Sequence, residues 1–149
     1  MQMTPDKKKN KLYIVVPCYN EEQVLGETSK RLKIKCEDLI QKGQISKDSK
    51  IVFVDDGSKD RTWKMISELH ETDSLFSGVK LSRNRGHQNA LLAGLTMASE
   101  HADMAISMDA DLQDDINAVD QMIEKYYEGC DIVYGVRSAR ETDTFFKRF

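Results

Sequence analysis

Short continuous apolar runs recur along the chain, and between them lie longer stretches whose apolar residues recur every three or four positions. A continuous apolar run that stops at turn-forming residues indicates a buried strand. The run at residues 79–81 is the weakest of five. Strands are therefore predicted at residues 12–16, 51–54, 79–81, 104–108 and 132–136.

The stretches between these runs have the period of amphipathic helices. From residue 21 to about residue 41, Leu25, Leu32 and Leu39 fall on one stripe, which is typical of a helix that buries one face. Gly129 is placed to end the last such stretch. Three more helices are predicted, around residues 63–69, 91–98 and 116–126.

This alternation predicts an α/β fold with a mostly parallel sheet and helices on both faces. In such sheets, ligands bind outside the carboxyl ends of the strands. The polar residues that invite a functional interpretation follow the predicted strands and so share this edge; they are residues 17–21, 55–56, 83–84, 109–111 and 137. The pattern predicts a binding site at this edge.

Asp109 and Asp111 supply the most specific chemistry, because they place two carboxylates at the end of the fourth predicted strand. A divalent cation relieves their mutual repulsion, and carboxylate oxygens suit Mg²⁺ or Mn²⁺. Such ions keep open positions for water and phosphate oxygens, and Gln113 could add a carbonyl oxygen. The alternative is structural: Asp109 caps a turn and Asp111 is solvated.

A second acidic pair, Asp55 and Asp56, follows the second predicted strand. These carboxylates could accept hydrogen bonds from a nucleobase or ribose, or they could form a turn before a helix. After the first strand, Tyr19 could stack on a base or pack internally. Glu21 and Glu22 also suit the first turn of a helix.

Three arginines, Arg83, Arg137 and Arg140, could contact a diphosphate or a phosphorylated acceptor. Arg137 is the best placed of them because it follows a strand, whereas an arginine in a surface loop is usually solvated. His87 stands at a predicted helix start, where it could help bind an anion, but a capping or surface role is the default expectation.

Composition narrows the class of protein further. The net charge of −3 argues against general binding to nucleic acid, which needs a basic surface. Three cysteines without a Cys-x-x-Cys pair favour reduced thiols in the cytoplasm. No apolar run approaches the ~20 residues of a membrane helix, so we expect no crossing within these 149 residues.

Taken together, the motifs resemble those of family 2 glycosyltransferases of the GT-A fold, nearest to the dolichol-phosphate mannosyltransferase and bactoprenol glucosyltransferase branch. The resemblance covers residues 11–149 and leaves residues 1–10 as a polar tail. It rests on the order of several motifs, namely VPCYNEE at 16–22, VDDGS at 54–58, SRNRGH at 82–87, MDADLQ at 108–113, YGVR at 134–137 and RETDTFFKR at 140–148.

The resemblance implies a role for each motif. Asp109, Asp111 and Gln113 would bind the Mg²⁺ or Mn²⁺ that bridges the donor diphosphate, and Asp111 and Arg137 would be the catalytic residues. The nucleotide would contact Pro17, Tyr19, Asn20, Glu21, Asp55, Asp56, Arg83, Asp109 and Ala110.

The implied activity is inverting transfer of a sugar from a UDP- or GDP-sugar, and a polyprenyl phosphate is the expected acceptor in cell-envelope synthesis. A saccharide hydroxyl acceptor, or a nucleotide-binding module without transfer activity, remains an alternative. We expect residues 11–149 to be the donor-binding part of a GT-A domain that continues beyond residue 149. The whole protein is expected in the cytoplasm or at the cytoplasmic face of a membrane, with membrane association.

Other folds with acidic pairs fit the motif order less well. Receiver domains and haloacid-dehalogenase-type phosphatases carry their acidic residues after the first strand, where this chain has PCYN at residues 17–20. Sugar nucleotidyltransferases need a glycine-rich loop at that place. The resemblance to family 2 glycosyltransferases is therefore the better interpretation.

Overall fold

Four strands and four helices alternate along the chain in the computed structural model, which describes residues 10–136. All described strand pairs are parallel. The order across the sheet is third, second, first, fourth strand. The elements are β1 (Leu12–Cys18), α1 (Leu25–Gln41), β2 (Lys50–Asp55), α2 (Thr62–Thr72), β3 (Phe76–Lys80), α3 (His87–His101), β4 (Met104–Ser107) and α4 (Ala118–Tyr127).

Side chains that alternate along β1 and β2 enter two separate cores, one on each face of the sheet. Ile14 and Phe53 belong to the larger core, together with buried side chains of α1, α2 and α4. Val15 and Val54 belong to the smaller core, which Ala90 of α3 completes. The prediction of a parallel sheet with helices on both faces is confirmed.

The close approach of α3 to the sheet depends on a glycine. A Cβ atom added to Gly94 would lie 2.4 Å from Cγ1 of Val15 and 2.8 Å from Cγ2 of Val54. These distances leave no room for a side chain. The small residue therefore lets α3 pack directly on β1 and β2.

The predicted strand at residues 132–136 is wrong. These residues form no strand in the described part of the chain, and Ile132, Tyr134 and Val136 are exposed. An apolar run becomes a strand only where it meets a hydrogen-bonding partner. This segment instead passes α4, where a Cβ atom on Gly135 would lie 2.8 Å from Cε of Met122.

The predicted start of the first helix at residue 21 is also wrong, since α1 begins at Leu25. The preceding backbone is held by the loop after β2 and by the first residue of α2. Glu22 N donates to Asp60 Oδ2 at 3.3 Å, and Glu21 N donates to Thr62 Oγ1 at 2.9 Å. Residues 21–24 therefore turn at the sheet edge before the helix begins. Within residues 10–136, no helix is long and apolar enough to cross a membrane.

Candidate functional site

The loops that follow β1 and β4 meet the start of α3 at the carboxyl edge of the sheet and enclose a cleft of about 270 Å³. Most of the polar side chains in its wall are carboxylates. It is lined by Pro17, Glu21, His87, Asp109, Ala110 and Asp111. Strand order thus brings together side chains that lie up to 94 positions apart in the sequence.

A second, smaller hollow of about 180 Å³ adjoins the cleft on the side of β2. Tyr19, which is 41% exposed, offers an aromatic surface there. The hollow shares Pro17 and His87 with the cleft. Its lining residues are Pro17, Cys18, Tyr19, Asp56, Asn84, Gly86, His87 and Ala90.

The loop that carries Asp109 and Asp111 is anchored at several points. Asp109 N donates to Asp114 Oδ2 at 3.0 Å, and Gln113 N donates to Asp111 Oδ1 at 3.1 Å. Between the two aspartates, the carbonyl oxygen of Ala110 accepts a 2.6 Å hydrogen bond from the buried Thr28 hydroxyl of α1. These bonds hold both carboxylates at the cleft before any ligand arrives.

Three carboxyl groups, those of Glu21, Asp109 and Asp111, lie close together in the cleft. Burial raises the pKa of the Glu21 carboxyl above its ordinary value, and the nearby carboxylates of Asp111, Asp60 and Asp109 raise it further. The imidazole Nε2 of His87 lies 3.7 Å from Asp109 Oδ1. The cleft is therefore arranged to attract a cation.

The donor set fits a cation that a ligand also coordinates. No cluster of three or more metal-binding side chains occurs within residues 10–136. Two carboxylates with open positions for water and phosphate oxygens suit Mg²⁺ or Mn²⁺, since these ions are usually held by one or two carboxylates plus substrate. Asp109 and Asp111 are the residues of this chain that would hold such an ion.

The raised pKa of Glu21 makes stability depend on pH. A carboxyl whose pKa is higher in the folded state binds its proton more tightly there, so stability falls as pH rises from about 4.5 through the folded-state pKa. Glu21→Gln removes this loss. We expect its melting temperature to match that of the unsubstituted protein near pH 4 and to exceed it near pH 7.

Melting curves in metal-free buffer at several pH values measure this difference. Glu100→Gln is the matched control, because Glu100 is an exposed residue of α3 outside the cleft. Equal pH profiles for Glu21→Gln and Glu100→Gln would contradict the proposed crowding of carboxylates.

The two aspartates after β2 have different environments. Asp55 is fully buried; its Oδ1 accepts from Ser58 N at 3.3 Å, and its Oδ2 has no hydrogen-bond partner in the described part of the protein. Asp56 lines the hollow, and its Oδ1 accepts from Arg85 N at 2.7 Å. Asp56 therefore anchors the loop between β3 and α3, whereas Asp55 lines neither the hollow nor the cleft.

Asn20 joins two loops of the edge. Its backbone N donates to Ser58 Oγ at 2.9 Å, and its side-chain Oδ1 accepts from Lys59 N at 2.9 Å. Its φ of 51° is in the left-handed region, where asparagine is among the better tolerated residues. Asn20 thus braces the site instead of lining it.

The structure brings together most of the residues that the sequence singled out. Pro17, Glu21, Tyr19, Asp56, Asp109, Ala110 and Asp111 line the cleft or the hollow. Arg83 and Gln113 are exposed and line neither. Arg137 and Arg140 lie outside the described residues.

The sequence placed Asn84 at the predicted edge without giving it a role, and a capping or surface role was the default for His87. The structure places Asn84 in the hollow and His87 in both cavities. The available signal was their position in the segment that joins the third predicted strand to the next helix.

A family model described as glycosyl transferase family 2 matches residues 13–149. The chain therefore belongs to glycosyl transferase family 2, as the order of its motifs predicted. The uncharacterized glycosyltransferase YkoT of Bacillus subtilis (strain 168) is 57% identical over 137 residues, which are 92% of this chain and 41% of that protein.

A second relative is the undecaprenyl-phosphate 4-deoxy-4-formamido-L-arabinose transferase of Enterobacter sp. (strain 638). It is 36% identical over 147 residues, which are 98% of this chain and 42% of that protein. The chain thus spans about two fifths of the length of the curated relatives that it matches.

Solved structures show the same fold. S. aureus TarS 1-349 in complex with UDP-GlcNAc aligns with a TM-score of 0.60 and 20% identity, over 79% of this chain and 31% of that chain. The mannosyltransferase PcManGT from Pyrobaculum calidifontis, in complex with GDP-Man and Mn²⁺, aligns with a TM-score of 0.53 and 24% identity, over 69% and 28%. The expected GT-A architecture is confirmed.

Proposed function

We propose that the chain forms the donor-binding part of an inverting glycosyltransferase, which transfers a sugar from a UDP- or GDP-sugar to a polyprenyl phosphate. The observation that carries the proposal is the cleft in which Asp109 and Asp111 face Glu21 at the carboxyl edge of the sheet. In a member of glycosyl transferase family 2, such a cleft suits the diphosphate of a sugar nucleotide.

Asp109 and Asp111 would hold Mg²⁺ or Mn²⁺, because carboxylates are preferred ligands of these ions. When bound, the ion would stabilise the negative charge of the leaving nucleoside diphosphate, which keeps the electron pair of the broken bond to the sugar. The Mn²⁺ and GDP-Man recorded with the mannosyltransferase PcManGT support this assignment.

The smaller hollow would take the nucleoside. Tyr19 offers an aromatic face for a base, and the Asp56 carboxylate lies in the same wall. Asp55 Oδ2 has no hydrogen-bond partner within residues 10–136, but Asp55 is fully buried and does not line the hollow. Uracil and guanine both carry N–H groups, and the proposal covers both nucleotides.

A phosphate acceptor does not require a proton-accepting residue of the enzyme. A phosphate is already anionic near neutral pH and needs no general base, whereas a saccharide hydroxyl does. The undecaprenyl-phosphate relative supports this acceptor, and so does the basic segment that contains Arg137 and Arg140. Acceptor binding would bring the whole protein to the cytoplasmic face of a membrane.

A transfer assay tests this function. The whole protein is incubated with radiolabelled UDP-glucose, UDP-GlcNAc or GDP-mannose and Mn²⁺, with undecaprenyl phosphate or a free saccharide as acceptor. We expect labelled lipid from one of these donors. Label in the saccharide alone would contradict the polyprenyl-phosphate acceptor. Nucleotide binding without any transfer would indicate a nucleotide-binding module without transfer activity.

A further inference from the structure

His87 occupies the boundary between the cleft and the hollow. Among residues 10–136, only Pro17 and His87 line both cavities. Proline has neither a backbone N–H nor a polar side chain, whereas an imidazole can donate a hydrogen bond. Any group that crosses from the hollow to the carboxylates therefore passes a hydrogen-bond donor on His87.

The position of His87 is set by the loop between β3 and α3. Arg85 N donates to the buried Asp56 carboxylate at 2.7 Å, and Gly86 N donates to Asn84 Oδ1 at 3.0 Å. Gly86 then turns the backbone through a φ of 91° into α3. The side chain of His87 is itself 57% exposed, so it is free to contact a ligand.

We propose that His87 contacts the diphosphate of the sugar nucleotide by donating a hydrogen bond from its imidazole. This assignment rests on the proposed function. A diphosphate that links a nucleoside in the hollow to a cation at Asp109 must cross the boundary that His87 forms. Its Nε2 is 3.7 Å from Asp109 Oδ1, so it lies within reach of an oxygen bound to the same cation.

The location at the first residue of α3 adds to this contact. The amides of a first helical turn lack intrahelical acceptors, and the helix dipole favours an anion at that end. Because His87 is the first residue of α3, a diphosphate that contacts its imidazole would also lie near the positive end of the helix dipole. His87 is then a binding residue for the phosphates and not for the base.

Calorimetry with a nucleoside diphosphate and the matching nucleoside distinguishes contact with the phosphates from contact with the base. The dissociation constants of UDP and uridine, or of GDP and guanosine, are measured at saturating Mn²⁺ for the unsubstituted chain, His87→Ala and His87→Gln. We expect His87→Ala to weaken binding of the diphosphate by roughly tenfold, as for a lost hydrogen bond to a charged group. Nucleoside binding should stay unchanged, and His87→Gln, which keeps a donor, should recover most of the affinity.

Each other outcome has a definite consequence. Equal losses for nucleoside and diphosphate would place His87 at the base. A separate titration of Mn²⁺ alone would show weaker binding to His87→Ala if His87 were a metal ligand. Either result overturns the assignment. An unchanged diphosphate affinity overturns it as well. Gln88→Ala, next to it in α3, is the control. If the unsubstituted chain binds neither UDP nor GDP, the proposed function is wrong, and the assignment of His87 is wrong as well.

Discussion

Asp111→Asn is expected to weaken Mn²⁺ binding by about a hundredfold and to leave the fold intact. Substitutions that only touch the partners of metal ligands reduce affinity by roughly 10–100-fold, and loss of one of two charged ligands should be at least as costly. Asp111 is exposed, and its Oδ1 accepts a hydrogen bond from Gln113 N. An asparagine carbonyl can keep that hydrogen bond.

Electron paramagnetic resonance of Mn²⁺ measures this affinity directly. Asp115→Asn is the matched control, since Asp115 is exposed, accepts from Asn117 N at 2.9 Å, and does not line the cleft. Because the Asp111 carboxylate also raises the pKa of Glu21, the same substitution should lower that pKa. Equal Mn²⁺ affinities for the two variants would contradict the assignment of Asp111.

Gly57→Ala is expected to destabilise the protein by about 2–5 kcal/mol. Gly57 has a φ of 73°, a conformation that costs an L-residue roughly 1–2 kcal/mol. An added Cβ would also lie 2.4 Å from the backbone N of Asn84, and such overpacking typically costs about 1–3 kcal/mol. The neighbour that must move is the backbone of the loop that carries His87.

Thermal unfolding measures this loss, at about 2–4 °C per kcal/mol for a domain of this size. Gly129→Ala is the control, because Gly129 has a φ of 103° but open space around its missing Cβ. Gly129→Ala should therefore lose only the stability that corresponds to the backbone strain of a positive φ. A Gly57→Ala protein as stable as Gly129→Ala would mean that the loops after β2 and β3 do not pack as described.

The sequence predicts the central strands well because a strand that is buried on both faces has consecutive apolar residues. β1 and β2 are continuous apolar runs, and the structure buries nearly all of their residues. β3 extends further back than its apolar pattern indicates, since Ser77 and Gly78 are strand residues through pairing with β2. Residues 132–136 carry a strand pattern but have no partner strand within residues 10–136, and a local sequence pattern does not show whether a partner is present.

The site could be predicted only in part, for a similar reason. That strand ends share one edge is a rule of topology, and it correctly gathers Asp109, Asp111 and Glu21. The hydrogen bond from Arg85 N to Asp56 and the approach of His87 to Asp109 depend on how separate loops pack. These contacts join residues 22 to 29 positions apart, and only the folded chain brings them together.

Titration of UDP and of GDP into this chain, with and without Mn²⁺, tests the central claim most directly. The claim is that the cleft holds a nucleoside diphosphate through a cation at Asp109 and Asp111. Calorimetry should show one of the two nucleotides binding when Mn²⁺ is present and much weaker binding when it is removed by a chelator. Nucleotide binding of equal strength without Mn²⁺, or no binding of either nucleotide with it, would contradict the claim.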